Sequence, residues 1–431
     1  MFDNQGLALS SKNAEAVAVY NRAVAELLDY RMSAMPTLKQ CLELDSDFCM
    51  AHCLRGYMLM MLNTAKMHGP AAKEYAEVKR LVGSANDRER MHAMALGWWV
   101  DGDLPRLCAQ WEAIVTKYPL DIVALRLHHF VSFWMGRTQQ LITLPASAKP
   151  AWNSGIPNYG NVLGMMAFGL EEMGCYAEAE THGREAVELN GNDLWAIHSV
   201  AHVLEMQGRH KDGLKWLDYP SDVWADRNPF RGHVWWHRGL FLIADQRLDE
   251  AMKFYDDVIY DTTSTYFLDL QNAVAFLSRL EFAGKNVGPR WEVLAGHASA
   301  MKGDHELVFT DLNNVIALGH ARKFDAARDY IASMKTRIDE KDNYVAQVLR
   351  RVGVPICEGL LAYEEGQYEK ALETLTLYKP LLIEVGASHA QRDLVSLFAL
   401  DAAKRGGKSE TLQHLQWERE FMTRLAQPHA A

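Results

Sequence analysis

Gly174-Cys175-Tyr176-Ala177-Glu178-Ala179, followed by Ala186 and preceded by the apolar run Val162 to Leu170, reads as helix, tight turn, helix. Counting 34 residues onward from Gly174 reaches Gly208, in Gln207-Gly208-Arg209-His210, and the same step from Gly102 reaches Gly136, in Met135-Gly136-Arg137. Two independent steps of equal length mark an internal repeat. Similar turns recur at Gln246-Arg247-Leu248-Asp249-Glu250-Ala251, Lys323-Phe324-Asp325-Ala326-Ala327 and Gly366-Gln367-Tyr368-Glu369-Lys370-Ala371. Pro119 follows Gly102 by seventeen residues, where a proline can end the second helix of a repeat. A single helical hairpin has an apolar face too large to cover alone, so neighbouring hairpins stack and share one core.

This spacing resembles the tetratricopeptide repeat, which places a small residue near position 8, Gly at 15, Tyr at 17, Ala at 20 and 27, and Pro at 32. Gly359, Gly366, Tyr368 and Ala371 fit four of those places, while Asp45 and Gly191 stand where the proline belongs. The resemblance implies an all-α fold, a right-handed superhelix of tetratricopeptide-like helical hairpins, running as a single α-solenoid over residues 1–431. Two interruptions, Leu144 to Tyr159 with Pro145, Pro150 and Pro157, and Tyr219 to Gly232 with Pro220 and Pro229, exceed the usual helix-to-helix connection of about 2 to 8 residues. They are expected to be long loops folding over a face of the superhelix.

A more specific set of strings is Arg88-Glu89-Arg90-Met91-His92, Gly164-Met165-Met166-Ala167-Phe168-Gly169-Leu170-Glu171-Glu172, Trp195-Ala196-Ile197-His198-Ser199-Val200-Ala201-His202-Val203-Leu204-Glu205, His233-Val234-Trp235-Trp236-His237 and Ser388-His389-Ala390-Gln391-Arg392-Asp393. Together they resemble the family of tetratricopeptide repeat protein 38, over nearly the whole chain. The resemblance implies fold and site positions and little chemistry. Asn272 departs from the family pattern, which has a second acid three residues after the one at Asp269. The departure argues against a paired-carboxylate role there.

Composition narrows the function classes. The 431 residues are 49% hydrophobic and 23% charged, close to an ordinary folded protein and far from the disordered regime. The formal charge of -10, spread without long like-charge runs, repels phosphate backbones, so nucleic acid is not expected as a partner. Met1-Phe2-Asp3-Asn4-Gln5-Gly6 lacks the basic and apolar regions of a secretory signal, and no window of about 18 apolar residues occurs. The expectation is a cytoplasmic protein with no membrane partner. Six scattered cysteines without a C-x-x-C pair suggest reduced, mostly buried thiols. No P-loop, G-x-G-x-x-G after a strand, G-x-S-x-G elbow, kinase set or EF-hand loop is present.

In the first helix of such a repeat, positions 2, 5, 9 and 12 share one face, which by resemblance lines the concave groove. With Gly208 at position 15, His198 falls at 5, His202 at 9 and Glu205 at 12; His92 and His52 take position 5 in their repeats, as does Arg126. In the following repeat His233 falls at 2, Trp236 at 5 and His237 at 6. Trp99, at position 12, and Trp236 are the groove-facing members of their tryptophan pairs and could floor an apolar pocket, whereas His128 and His129 fall at core positions. Asp269 opens a nearby helix, and His389, Arg392 and Asp393 open the last first-helix. Arg392 could anchor an acidic ligand group if the C-terminal end of the array comes over its middle.

His198 with His202 and His233 with His237 are i, i+4 pairs, a spacing that lets two ring nitrogens reach one metal ion. Ser199 and Val234 occupy the places where H-E-x-x-H would carry its glutamate. Glu205 could supply a third ligand or a general base beside an open coordination position. The bland alternative is a hydrogen-bonded polar network with Trp236 as packing. The leading functional reading is a helical-repeat protein that binds a small molecule, peptide or protein partner in a His/Trp-rich groove through His92, His198, His233, Trp236, Asp269, His389, Arg392 and Asp393. The alternative is an enzyme, a metal-dependent hydrolase in the same groove, with His202, Glu205 and His237 catalytic and His198, His202, His233 and His237 holding a divalent metal cofactor.

Overall fold

A computed structural model describes residues 1–427. Among the described residues the chain is helical throughout, with no strand and two isolated bridges, Phe2 with Ala8 and Arg31 with Arg227. The chain divides into two compact units: residues Met1–Phe133, Arg137–Val200 and Trp224–Asn228, and residues Trp134–Gly136, Ala201–Val223 and Pro229 onward. The Leu194–Met206 helix contributes its first half to one unit and its second half to the other.

Both units are built from antiparallel helical hairpins of the tetratricopeptide type. In the first unit Cys49–Met60 pairs with His68–Leu81, Asp87–Val100 with Leu104–Lys117, and Tyr159–Glu172 with Tyr176–Leu189. In the second, Phe230–Ala244 packs on Leu248–Phe254, Val308–His320 on Phe324–Glu340, and Val354–Glu364 on Tyr368–Tyr378.

The turns are where the sequence fixes the geometry. Gly102, Gly136, Gly174, Gly208 and Gly366 all have φ between 66° and 78°, the left-handed region in which a Cβ is strained. Each closes its first helix with the same bond, the N–H one residue past the glycine reaching back five residues: Cys175 to the Leu170 carbonyl at 2.9 Å, Arg209 to Leu204 at 2.8 Å, Gln367 to Ala362 at 2.8 Å. Gln246 at φ 60° and Arg322 at φ 57° hold the same conformation at the turns before Leu248 and Phe324, with Arg247 and Lys323 making the equivalent bonds to Leu242 and Leu318. Packing on both sides of those hairpins holds a conformation that costs a non-glycine residue roughly 1 kcal/mol.

The proline-rich interruptions are narrower than the sequence suggests. Helix Thr138–Ala148 runs through Pro145, so the first connection shrinks to the segment after Ala151, which Trp152 anchors by donating its indole N–H to the Pro119 carbonyl at 2.8 Å. The second ends where helix Phe230–Ala244 begins, just past Pro229. Proline at a helix start loses no hydrogen bond, so Pro229 marks an entrance and not a loop interior.

In the second unit the first helices of successive hairpins stack side by side, Phe230–Ala244 on Phe267–Phe282, that on Val308–His320, and that on Val354–Glu364. Every residue from Phe267 to Leu280 and from Val308 to Gly319 is buried, as expected of helices surrounded on all sides. Their polar residues therefore lie inside the protein and need partners there. Gln271 donates to the Thr310 hydroxyl at 2.7 Å, and the Tyr330 hydroxyl donates to Asp311 at 2.8 Å.

Close backbone approach makes one glycine of the first unit sensitive. A Cβ on Gly169 would lie 2.6 Å from the Leu141 carbonyl carbon and 2.7 Å from the Ile142 nitrogen, both backbone atoms that cannot swing aside. Gly169→Ala should push helices Thr138–Ala148 and Tyr159–Glu172 apart and cost about 1 to 3 kcal/mol. Urea unfolding measures it; a midpoint equal to that of wild type would show that the two helices separate freely.

Candidate functional site

Most of the sequence-predicted residues converge in the second unit, on three helices and the start of a fourth. Leu194–Met206 carries His202 and Glu205, Phe230–Ala244 carries His233, Trp236 and His237, and Phe267–Phe282 adds Asn272 and Arg279. Helix His389–Arg405 packs against Phe267–Phe282 and closes the cluster. Helical periodicity does the sorting: His202 and Glu205 are three apart and His233, Trp236 and His237 three and four apart, so each set leaves its helix on one side.

The rings are in contact. His202 and His237 have centroids 4.3 Å apart, His233 and His237 5.2 Å apart, and His233 stacks on Trp236 at 5.2 Å with planes 14° apart. The Arg279 guanidinium lies 5.4 Å from the Trp236 ring centroid and donates to the Ala275 and Ala390 carbonyls. One nitrogen from each of His202, His233 and His237 lies within 4.8 Å of the others.

Two of these imidazoles are oriented by oxygen acceptors from a neighbouring helix. His237 Nδ1 meets Glu205 Oε2 at 2.6 Å and His233 Nδ1 meets Asn272 Oδ1 at 2.7 Å. The Asn272 amide oxygen accepts, as does the Glu205 carboxylate in its ionised form, and with these acceptors Nδ1 carries the proton in both rings and Nε2 presents the lone pair. Burial, followed by the neighbouring imidazoles, pushes both His233 and His237 well below the ordinary histidine range, so both are neutral. Glu205 is pushed up to about 7, by burial first and by the Asp393 charge, against the opposing pull of His202 and Arg279.

The site is enclosed where the sequence predicts an open groove. His202, Trp236 and His237 are 0% exposed and His233 is 3%, with only Glu205 at the rim, its side chain 18% exposed. The physical reason is the return of the C-terminal helix. Arg279 reaches the Ala390 carbonyl, and Asp393 lies close enough to shift both Glu205 and Arg279. Asp393 is itself clamped by both terminal nitrogens of Arg419.

The remaining predicted residues have further partners of their own. Arg392 turns back on its own loop, donating to the Gly386 and Ala387 carbonyls and to His389 Nδ1. Asp269 accepts from the Ser264 hydroxyl at the start of its helix, and burial pushes its carboxyl up to about 6. His92 belongs to a separate network of the first unit, with Nε2 2.9 Å from Asp121 and Nδ1 3.2 Å from the Tyr57 hydroxyl. His198 sits one turn before His202 and stacks on Phe168 at 5.5 Å within the first unit. Trp99 is a packing residue, edge-on to Trp111 at 5.4 Å, and its neighbour Trp98 faces outward under Arg106. His128 and His129 are fully buried, as their core positions predict.

Sequence reasoning missed Arg279 and Arg419 and read Asn272 only as a departure. Arg279 was legible as the lone charge within Ala273-Val274-Ala275-Phe276-Leu277-Ser278-Arg279-Leu280. A charge in such a run is buried with partners or exposed at a helix edge, and the pattern alone does not decide between them.

Among the described residues no helix is long and apolar enough to cross a membrane. No protein-family model matches the chain. Among solved structures it is similar to the TPR domain of P58(IPK), with 14% identity, 91% of this chain and 89% of that chain covered, and a TM-score of 0.24. It is also similar to a structure of Naa15/Naa10 bound to HypK-THB, with 11% identity, coverage of 93% and 67%, and a TM-score of 0.22.

Proposed function

We propose that this helical-repeat protein belongs to the tetratricopeptide repeat protein 38 family and is a binding protein whose ligand is a small molecule or ion held by His202, Glu205, His233, Trp236 and His237. The observation that carries the reading is the gathering of three imidazoles, a carboxyl group and a guanidinium into one buried cluster of the second unit. Each such group gives up hydration on folding, and a polar group left imperfectly satisfied costs about 1 to 3 kcal/mol. A protein that needed only a core would be more stable with apolar side chains of the same size there. Enclosure favours a small ligand over the peptide or protein that a groove would take, because His202, His233, Trp236 and His237, exposed by 3% or less, offer a macromolecule no surface.

Two measurements test it together. Native mass spectrometry of the untagged protein should show a bound species that His202→Leu loses, and His202→Leu should be as stable as wild type or more so in urea. A wild-type protein with no bound species, combined with a loss of more than about 1 kcal/mol in the variant, would make the cluster a structural network.

A further inference from the structure

We infer that His202, His233 and His237 form the binding site of a divalent transition-metal ion, with Glu205 and Asn272 as its positioning residues. The inference deepens the reading above and rests on it. Imidazole nitrogens suit zinc, cobalt, nickel or copper, and three protein nitrogens with a fourth position left for water or an exogenous ligand is a recurring arrangement for zinc. Tetrahedral geometry with bonds of about 2.0 to 2.1 Å sets the nitrogens about 3.4 Å apart. The observed nitrogens already lie within 4.8 Å of one another, so sub-ångström ring movements close the site.

The hydrogen bonds behind the rings point the same way. Histidines that ligate metals almost always donate the other ring N–H to a carboxylate or carbonyl oxygen, which fixes the tautomer and aims the lone pair. Glu205 does this for His237 at 2.6 Å and Asn272 for His233 at 2.7 Å. Two imidazoles from one helix at i, i+4 and a third from the preceding hairpin give the site a rigid frame of helices. His198 extends the row one turn earlier on the helix of His202.

The test uses the full chain without a histidine tag, stripped of metal and titrated with cobalt(II), added both to the folded protein and during refolding because the rings are buried. The expected result is one equivalent bound, with the visible absorption of a four- or five-coordinate nitrogen site. His202→Ala and His237→Ala should abolish that absorption, and Asn272→Ala and Glu205→Ala should weaken binding by about 10- to 100-fold. X-ray absorption of the zinc-loaded wild type should show a shell of at least three imidazole nitrogens, a readout that does not depend on any variant folding. No cobalt bound to wild type by either route, or a zinc shell of fewer than three imidazoles, overturns the inference. An organic species bound to wild type in the absence of metal overturns it too, while leaving the binding function in place.

Discussion

Asp121→Ala should be among the most destabilising single changes in the first unit, costing about 3 to 5 kcal/mol, because it strips a buried ion cluster of its central carboxylate. Asp121 is 0% exposed, and its Oδ2 accepts from Arg88 Nη1 at 2.9 Å and His92 Nε2 at 2.9 Å while its Oδ1 caps the Ala124 N–H at 2.9 Å. Burial alone would raise its pKa, but His92 and Arg88 overcome that and hold it below the usual carboxylate range. Without it Arg88, itself 3% exposed, keeps only Asp3 at 3.0 Å and the Ala8 carbonyl. A guanidinium with one carboxylate in place of two is an incompletely compensated buried charge. Asp121→Asn should be less damaging by about 1 kcal/mol, since the amide oxygen still caps Ala124. Adding Arg88→Met to Asp121→Ala should recover part of the loss, because two apolar groups tolerate burial better than one orphaned charge. Urea unfolding of the three variants decides the matter; equal stability of wild type and Asp121→Ala would mean that water reaches Arg88.

That network shows where the sequence stops being legible. The repeat was readable because each hairpin needs a left-handed residue at its turn, and glycine advertises that need at 102, 136, 174, 208 and 366. Gln246 and Arg322 adopt the same conformation without glycine, and the small-residue and acidic pattern after them was the remaining clue. Positions 5 and 9 put His92, His198 and His202 on sides of their helices that are buried. Those positions could not separate a ligand-binding histidine from one satisfied by a partner, because Asp121 is 29 residues beyond His92 and pairs with it only after two helices pack. The same limit hid Asn272. An amide 39 residues from His233 reads as the loss of an acid until the neighbouring hairpin brings its oxygen to the ring. The clustering of His202, His233 and His237 was readable from i, i+4 spacing on consecutive repeats. Its enclosure was not, since that depends on Arg279 and on a helix more than a hundred residues further along the chain.

A second large effect is a loss of stability above neutral pH that runs through His320. The ring closes the Val308–His320 helix, where the dipole favours a cation, and it sits between two carboxylates, Glu281 Oε2 at 3.2 Å from Nε2 and Glu364 against Nδ1. Trp291 and Phe398 cover its remaining faces, at 4.2 and 5.9 Å between centroids. Burial disfavours the imidazolium, yet the Glu364 and Glu281 charges more than offset it and push the pKa from 6.5 up to about 9. A raised pKa means that the folded state holds the proton more tightly than the unfolded chain. The stabilisation is therefore complete below about pH 6.5 and drains away as the pH climbs through 9. Its size is on the order of 3 kcal/mol, from 1.36 kcal/mol per unit of difference. Wild type should thus exceed His320→Gln by about that much more at pH 6 than at pH 9.5, whatever constant offset the packing change adds. Glu364→Gln should flatten the same profile from the other side, since the neutral amide removes the charge that holds the proton. A stability difference between wild type and His320→Gln that does not change from pH 6 to pH 9.5 would show that His320 is neutral in the fold, and that the carboxylate of Glu364 carries the proton instead.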